Sequence, residues 1–372
     1  MWSLEINGKK IKIVQISGDY FSRGLKYGTI CKDDIIINID LCRDLCMAYR
    51  KIETSKIYEE VKRFIPTLRK YDKNIFEELT GIAKGAGVNI EDIVLLNLRS
   101  EIMNKLWGVN CIHEGCSTFA ISSSDENKTF VAQTWDWMNI SSNRMIILVE
   151  KDEESNKAFL SVTEAGIIAN VGINNRGMST LLNYISVLET SYKGAPYHFL
   201  LHRALMADNS FEAMKEMVRS PIAFAIHIMN CDINQNVMSY EITSTGTDVR
   251  KMDDRYLCHT NHVLSNKLKC RVVGNDLSTD SKHRLDILDD CLSKLSLKDS
   301  IDVKDIYSIL SYHSDEFSIC KHINPNEKYG ISTIFSVIYE YANGRFPKMF
   351  ISFGEPCNNY VEKIDAEQLF DF

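Results

Sequence analysis

The chain has 372 residues, 45% of them hydrophobic and 25% charged, with 43 basic against 50 acidic side chains and a formal net charge of −7. That is a globular composition, which excludes a disordered, collagen-like or coiled-coil chain as a global description. The acidic balance lacks the broad positive footprint of a nucleic-acid binder, and the longest apolar run, near 221–229, falls far short of the roughly 20 residues that a membrane-spanning helix needs.

The first residues, Met1-Trp2-Ser3-Leu4-Glu5-Ile6, show no basic segment leading into an apolar core, so no secretory signal is visible. Eleven cysteines without a C-x-x-C pair then predict reduced thiols and a cytoplasmic setting. The 18 Gly and 6 Pro do not cluster into a linker, and no internal repeat is present. Composition alone gives no reason to divide the chain.

Residues 4–6 and 10–16 flank Asn7-Gly8, the dipeptide of a type I′ hairpin. From 20 to about 104 the apolar period becomes helical. Ile57, Val61, Phe64, Ile65 and Leu68 share one face, as do Phe76, Leu79, Ile82 and Ala83. Asn89 is placed to cap a helix that carries Asp92 at its third position. After Cys116 the rhythm predicts strands over 117–122, 129–135, 145–150, 158–162, 167–171 and 178–183. Helices follow over 197–207 and 210–218, then strands over 223–230, 237–242 and 255–260. Helices over 282–293 and 303–312 precede closing strands over 333–340 and 348–353. A helical first third feeding a meander with inserted helices is an α+β layered pattern.

Five clusters could carry chemistry. In His113-Glu114-Gly115-Cys116-Ser117, Cys116 stands where helices give way to strands. Most cysteines are small buried hydrophobes, and Cys116 alone would read as one of them. As a nucleophile it needs a base or a lowered pKa, and Gly115 leaves the preceding carbonyl open to a neighbouring thiol. In Gln133-Thr134-Trp135-Asp136-Trp137, the carboxylate between two indoles either caps a turn or receives an amine beside the strand of Cys116. Asn174–Gly177 reads as a hairpin turn, with Asn183 on the next strand as a candidate oxyanion donor. In His259-Thr260-Asn261-His262, either His could serve as base to Cys116, and Asn261 could donate to an oxyanion. No accompanying ligand set supports a metal at His259 and His262, so none is expected. In Asp280-Ser281-Lys282-His283-Arg284, Ser281 caps a helix and Arg284 is either solvated or drawn among the site's carboxylates.

The order of these clusters resembles the acyl-coenzyme A:6-aminopenicillanic acid acyltransferases, the autoproteolytic branch of the N-terminal nucleophile (Ntn) hydrolases. Carrying the resemblance are Gly18-Asp19-Tyr20-Phe21-Ser22-Arg23-Gly24 with Tyr27-Gly28, Glu77–Val88, and Leu96-Asn97-Leu98-Arg99-Ser100-Glu101. Gly115-Cys116-Ser117, Trp135-Asp136-Trp137, Asn261 and Gly354-Glu355-Pro356-Cys357 complete it. Related bile-salt and penicillin V hydrolases carry an Arg in the strand before the Asp, where this chain has Gln133, which places it nearer the acyltransferase branch.

The resemblance implies an α+β fold of the Ntn type, an αββα four-layer sandwich of two antiparallel sheets flanked by helices. Residues 1–115 would be a pro-segment wrapped on the core and 116–372 the catalytic chain, forming one unit after cleavage between Gly115 and Cys116. Cys116 would then supply both thiol and α-amine base, which demotes the histidines. Asn261, with Asn183, would hold the oxyanion, Asp136 the α-amine or substrate, and Arg284 the charge network. Trp135, Trp137 and Gln133 would contact an N-acyl amide. No cofactor is implied beyond a coenzyme A thioester as a candidate acyl donor. The implied partners are the small-molecule substrate and the chain's own cleaved fragment, with no nucleic acid or membrane; a homo-oligomer is compatible. A Cys–His hydrolase that does not cut itself, and an inactive binding protein of the same fold, are the alternatives.

Overall fold

The computed structural model describes residues 2–107, 115–124, 127–185, 187, 190–219, 221–268, 275–314, 316–324, 327, 329–342 and 344–372. His113 and Glu114 lie outside them. The chain opens with β1 (Trp2–Ile6) and β2 (Lys9–Ser17), then α1 (Tyr20–Ile30), α2 (Lys32–Arg50), α3 (Thr54–Tyr71), α4 (Lys73–Ala86), α5 (Ile90–Asn97) and α6 (Arg99–Trp107). Strands β3 (Ser117–Ser122), β4 (Lys128–Met138), β5 (Met145–Asp152), β6 (Lys157–Glu164), β7 (Val171–Asn174) and β8 (Ser179–Tyr184) follow. Next come α7 (Tyr197–Leu205), α8 (Ser210–Arg219), β9 (Ile226–Cys231), β10 (Val237–Thr243), β11 (Gly246–Lys251) and β12 (Tyr256–His259). The chain closes with α9 (Asn275–Leu295), α10 (Val303–Leu310), β13 (Ile331–Ala342), β14 (Lys348–Phe353) and β15 (Glu362–Ile364).

The first turn forms as its residues predict: Asn7 and Gly8 sit at φ 52° and 69°, where Gly is free of strain and Asn tolerates it. Asn7 also ties this hairpin to the far end of the chain. Its N–H donates to Glu362 (2.7 Å), and its Oδ1 accepts from the Phe353 N–H (3.0 Å).

Two sheets result. One runs β1-β2-β5-β6-β7-β8-β9-β10-β11, the other β12-β3-β4-β13-β14-β15. Pairing is antiparallel except between β2 and β5, which run parallel; the helical segment and the β3–β4 hairpin of the other sheet lie between them in the chain. That single parallel ladder departs from the all-antiparallel expectation. Strand alternation divides the second sheet's side chains between two cores. Phe119, Ile121, Phe130, Ala132 and Ile338 pack with Leu288 and Leu292 of α9 and Ile306 and Ile309 of α10. Ala120, Val131, Trp135, Val337 and Tyr339 join the core shared with the first sheet. The layers are thus helices, sheet, sheet and helices, in an α+β chain. No helix among the described residues is long and apolar enough to cross a membrane.

The glycine-rich motifs before Cys116 are packing devices. A Cβ on Gly24 or Gly28 of α1 would stand 2.1 Å from the Glu78 or Ile82 carbonyl oxygen of α4; on Gly81 it would meet the Phe21 oxygen at 2.3 Å. The two helices therefore cross backbone to backbone. That crossing buries Arg23 against Glu78 (3.2 Å) and Glu150 of β5 (2.9 Å), with His202 of α7 on Glu150 at 3.0 Å. Burial of such charges is tolerated only because each finds a partner.

Candidate active site

Cys116 sits just before β3 and is buried. Beside it, β3 pairs with β4, which carries Asp136, and β4 pairs with β13, which carries Thr333 opposite Asp136. Thr333 Oγ1 donates to Asp136 Oδ1 (2.6 Å) and accepts from the Lys321 N–H (2.9 Å). Asp136 Oδ2 is buried with no hydrogen-bond partner. A Cβ placed on Gly115 would lie 3.1 Å from that oxygen and 2.6 Å from Lys321 Nζ, so the Gly115 backbone runs between an anion and a cation. Any side chain at 115 would have to displace one of them.

The second half of the cluster comes from α9. Arg284 is fully buried and donates from all three guanidinium nitrogens. Its Nε donates to Asp280 (2.8 Å), Nη1 to the Cys116 carbonyl (2.9 Å) and Ser117 Oγ (3.1 Å), and Nη2 to Asn261 Oδ1 (2.8 Å). Asp280 also accepts from Lys321 Nζ (3.0 Å). Asn261 is fixed from both ends, because its Nδ2 donates to the Tyr184 carbonyl (2.9 Å) and leaves one amide N–H over. Its backbone N–H donates to Ser281 Oγ (2.7 Å).

The two carboxyls are set apart electrostatically. Burial, the largest influence on Asp136, pushes it up to about 7 against the pull of Lys321 and Arg284 and the Thr333 hydrogen bond. Burial would raise Asp280 as well, but contact with Arg284 and Lys321 outweighs it and brings Asp280 to about 2. One acid is held ionised, then, and the other is poised near neutrality.

A narrow pocket, with a cavity volume of about 10 Å³, borders Cys116 and Asp136. Trp135, Trp137, Leu182, Tyr184, Tyr197 and Ile226 supply most of its wall, with Arg99 and Ser100 from helix α6. Arg99 stacks over Trp137 (4.5 Å) and is paired with Glu164 (2.7 and 2.5 Å), so its charge is compensated before any ligand arrives. Trp135 Nε1–H is buried with no partner, while its ring stacks on Phe335.

Of the residues singled out in the sequence, Cys116, Gly115, Asp136, Asn261 and Arg284 come together here, and both tryptophans line the pocket. Gln133 and Asn183 are placed elsewhere. Gln133 spends its amide on Leu182, donating from Nε2 to the carbonyl (2.5 Å) and accepting from the N–H (3.0 Å), which clamps one sheet to the other. It is not in the pocket wall. Leu182 and Tyr184 line the pocket, so strand alternation turns Asn183 away, and its Oδ1 pairs with His227 Nδ1 (2.7 Å).

The histidines have other work. His259 sets its ring nitrogens on the Thr260 carbonyl (2.7 Å) and Glu241 (2.8 Å), His262 contacts Ser281 Oγ (2.8 Å), and His283 stacks on Phe317 (4.0 Å). Burial lowers His262 to about 4, which weakens it as a base at neutral pH. Lys321 and Thr333 went unnoticed in the sequence. Lys321 lies in an irregular segment with no motif, and only the fold brings it to Gly115.

The sequence profile of the acyl-coenzyme A:6-aminopenicillanic acid acyl-transferase family matches residues 123–356, an interval that holds Asp136, Asn261, Arg284, Lys321 and Thr333. The chain belongs to this family. It is 26% identical over 339 residues, 90% of each chain, to the acyl-coenzyme A:6-aminopenicillanic-acid-acyltransferase 40 kDa form of Emericella nidulans. Among solved structures it resembles the Caenorhabditis elegans N-acylethanolamine-hydrolyzing acid amidase ortholog at 16% identity, covering 60% of this chain and 92% of that one, with a TM-score of 0.42. The conjugated bile acid hydrolase of Clostridium perfringens matches at 12% identity, over 67% and 96% of the two chains, with a TM-score of 0.41.

Proposed function

We propose that the protein is an N-terminal-cysteine amidohydrolase or acyltransferase that activates itself by cutting between Gly115 and Cys116. The supporting observation is the placement of that peptide. It passes between Asp136 Oδ2 and Lys321 Nζ, has Arg284 on the Cys116 carbonyl, and borders an aromatic pocket.

In activation, Cys116 Sγ attacks the Gly115 carbonyl carbon. The C–N bond breaks and the nitrogen leaves as an amine, giving a thioester. Water hydrolyses the thioester, leaving a Gly115 carboxylate, a free Cys116 thiol and an α-amine. That amine, with an ordinary pKa of about 7.7–8.0, can take the thiol proton at neutral pH, so one residue supplies nucleophile and base. Asp136 Oδ2, unpartnered beside the cut, would accept from the new ammonium group. Arg284 acts as a positioning residue, since its hydrogen bonds align Cys116, Ser117 and Asn261.

The mature thiol would attack the carbonyl of an N-acyl amide. The amide N–H that Asn261 leaves over, and the unpaired Trp135 indole N–H, would steady the oxyanion or the acyl oxygen. The leaving amine takes the proton, and the thioester passes to water or to a second amine. Arg99 and Ser100 keep the cleaved fragment in the pocket wall, so both chains would be needed for substrate binding.

The test is a panel of N-acyl amino acids and N-acyl amides, followed by released amine and by the mass of the chain beginning at Cys116. The reading predicts turnover and a transient acyl adduct on that chain, both absent in Cys116→Ala. Turnover in Cys116→Ala would refute it.

A further inference from the structure

A second cluster, outside the candidate active site, joins two segments. His313 and the pair Cys320 and His322 come from the irregular chain between α10 and β13, and Cys357 from the turn after β14. One ligand-capable atom of each lies within 4.8 Å of all the others. His313 Nε2 and His322 Nε2 are 2.9 Å apart, His322 Nε2 and Cys357 Sγ 3.2 Å, and His322 Nε2 and Cys320 Sγ 3.8 Å. In a tetrahedral zinc site, with bonds of about 2.0–2.1 Å to nitrogen and 2.3 Å to sulfur, ligand atoms stand about 3.3–3.8 Å from one another. The separations from His322 Nε2 lie around that range, and all four atoms stand close enough together for one ion to bind them with small shifts. Cys320 is buried, whereas both imidazoles reach solvent, so an ion has a way in.

We propose that His313, Cys320, His322 and Cys357 bind one Zn²⁺ as a structural Cys₂His₂ site. Two thiols bind as thiolates, so two protons leave as the ion enters. The donor set favours zinc over hard cations, which take oxygen ligands. The site fastens the segment that carries Lys321 to the Gly354–Cys357 turn. Lys321 sits between two of the ligands, and its Nζ stands at Gly115 and Asp280. The ion would thus act as a staple behind the candidate active site. The spacing H-x₆-C-x-H with a fourth ligand 35 residues on matches no familiar zinc motif, so the sequence alone does not single these residues out.

The test uses the full chain in a Cys116→Ala background, so that the catalytic thiol cannot contribute a ligand. The reduced protein is stripped with chelator, exposed to Zn²⁺ and dialysed, and its metal is counted. One zinc per chain is expected, with at least a fivefold loss in Cys357→Ser and in His313→Gln. Cobalt added to the stripped parent should give the visible bands of tetrahedral Co²⁺ and a thiolate charge-transfer band, a readout that does not depend on the variants folding. Zinc retention below a tenth of an equivalent in the parent, cobalt spectra without thiolate character, or a Cys320–Cys357 disulfide persisting in the reduced protein would each overturn the site. None of these readouts depends on self-cleavage or turnover.

Discussion

Replacing Asp136 by Asn separates the electrostatic cost of this carboxylate from its function. Asn keeps an oxygen to accept from Thr333 Oγ1 and nearly the same volume, so packing is preserved. Asp136 moves from an ordinary 3.8 to about 7 in the fold, mainly through burial. Its folded value lies above its unfolded one, so the stability it contributes is fully present below pH 3.8 and is lost as pH rises through 7. The full displacement amounts to about 4 kcal/mol, of which about 2.5 kcal/mol falls between pH 5 and pH 8. The assay is urea unfolding at those two pH values for Cys116→Ala and for Cys116→Ala/Asp136→Asn, both uncut under this account. Every other titrating group is common to the two proteins. The parent should lose about 2.5 kcal/mol relative to the Asn variant on going to pH 8. Parallel changes, agreeing within about 0.5 kcal/mol, would refute a buried and strained Asp136.

Other expectations follow from the same geometry. Arg284→Ala leaves Asp280 with Lys321 as its one remaining cation and frees the Oδ1 end of Asn261, so stability should fall by about 1–3 kcal/mol by denaturant unfolding, with self-cleavage lost on gels. Gly115→Val should slow cleavage at least tenfold in a time course, and more than Gly115→Ala, because a bulkier side chain must displace Lys321 or Asp136 further. Gly24→Ala, in α1, drives a Cβ into the Glu78 carbonyl and should cost about 3 kcal/mol or more, read as a lowered unfolding midpoint, although it lies far from the chemistry in sequence. His262→Gln should still cleave itself, since the account assigns that ring no proton transfer; an uncut, inactive variant would favour the Cys–His alternative.

How far the sequence could be read depended on whether a feature was local. The Asn7-Gly8 hairpin and β3 at Ser117–Ser122 appear as their own residues predict, because a turn dipeptide and a two-residue period are short-range signals. The expected strand over 167–171 is instead a turn leading into β7 at Val171. Its apolar run is buried, but its backbone is satisfied by side chains from elsewhere. Asn97 accepts from the Ile168 N–H (3.0 Å) and donates to the Gly166 carbonyl (2.8 Å), and Tyr27 donates to the Ile167 carbonyl (3.1 Å). The edge strands β11 and β15 went unpredicted, since polar and charged residues fill them and weaken the alternation.

The site divides in the same way. Cys116, Asp136 and Asn261 stood out by their neighbours in sequence. Gln133 looked the same by that criterion, yet it serves to clamp the sheets. Lys321 reaches Gly115, and Cys357 joins His313, Cys320 and His322, only when segments distant in sequence meet.

The central claim is that the chain cuts itself at Cys116, and the most direct measurement is the denaturing intact mass of the purified full-length protein beside Cys116→Ala. Wild type should give fragments of about 13 and 29 kDa in place of the 42.6 kDa chain, with the larger fragment beginning at Cys116. Cys116→Ala should remain whole. A single 42.6 kDa species in both, in a preparation that nonetheless turns over N-acyl amides, would contradict the account and return the proton transfer to a histidine.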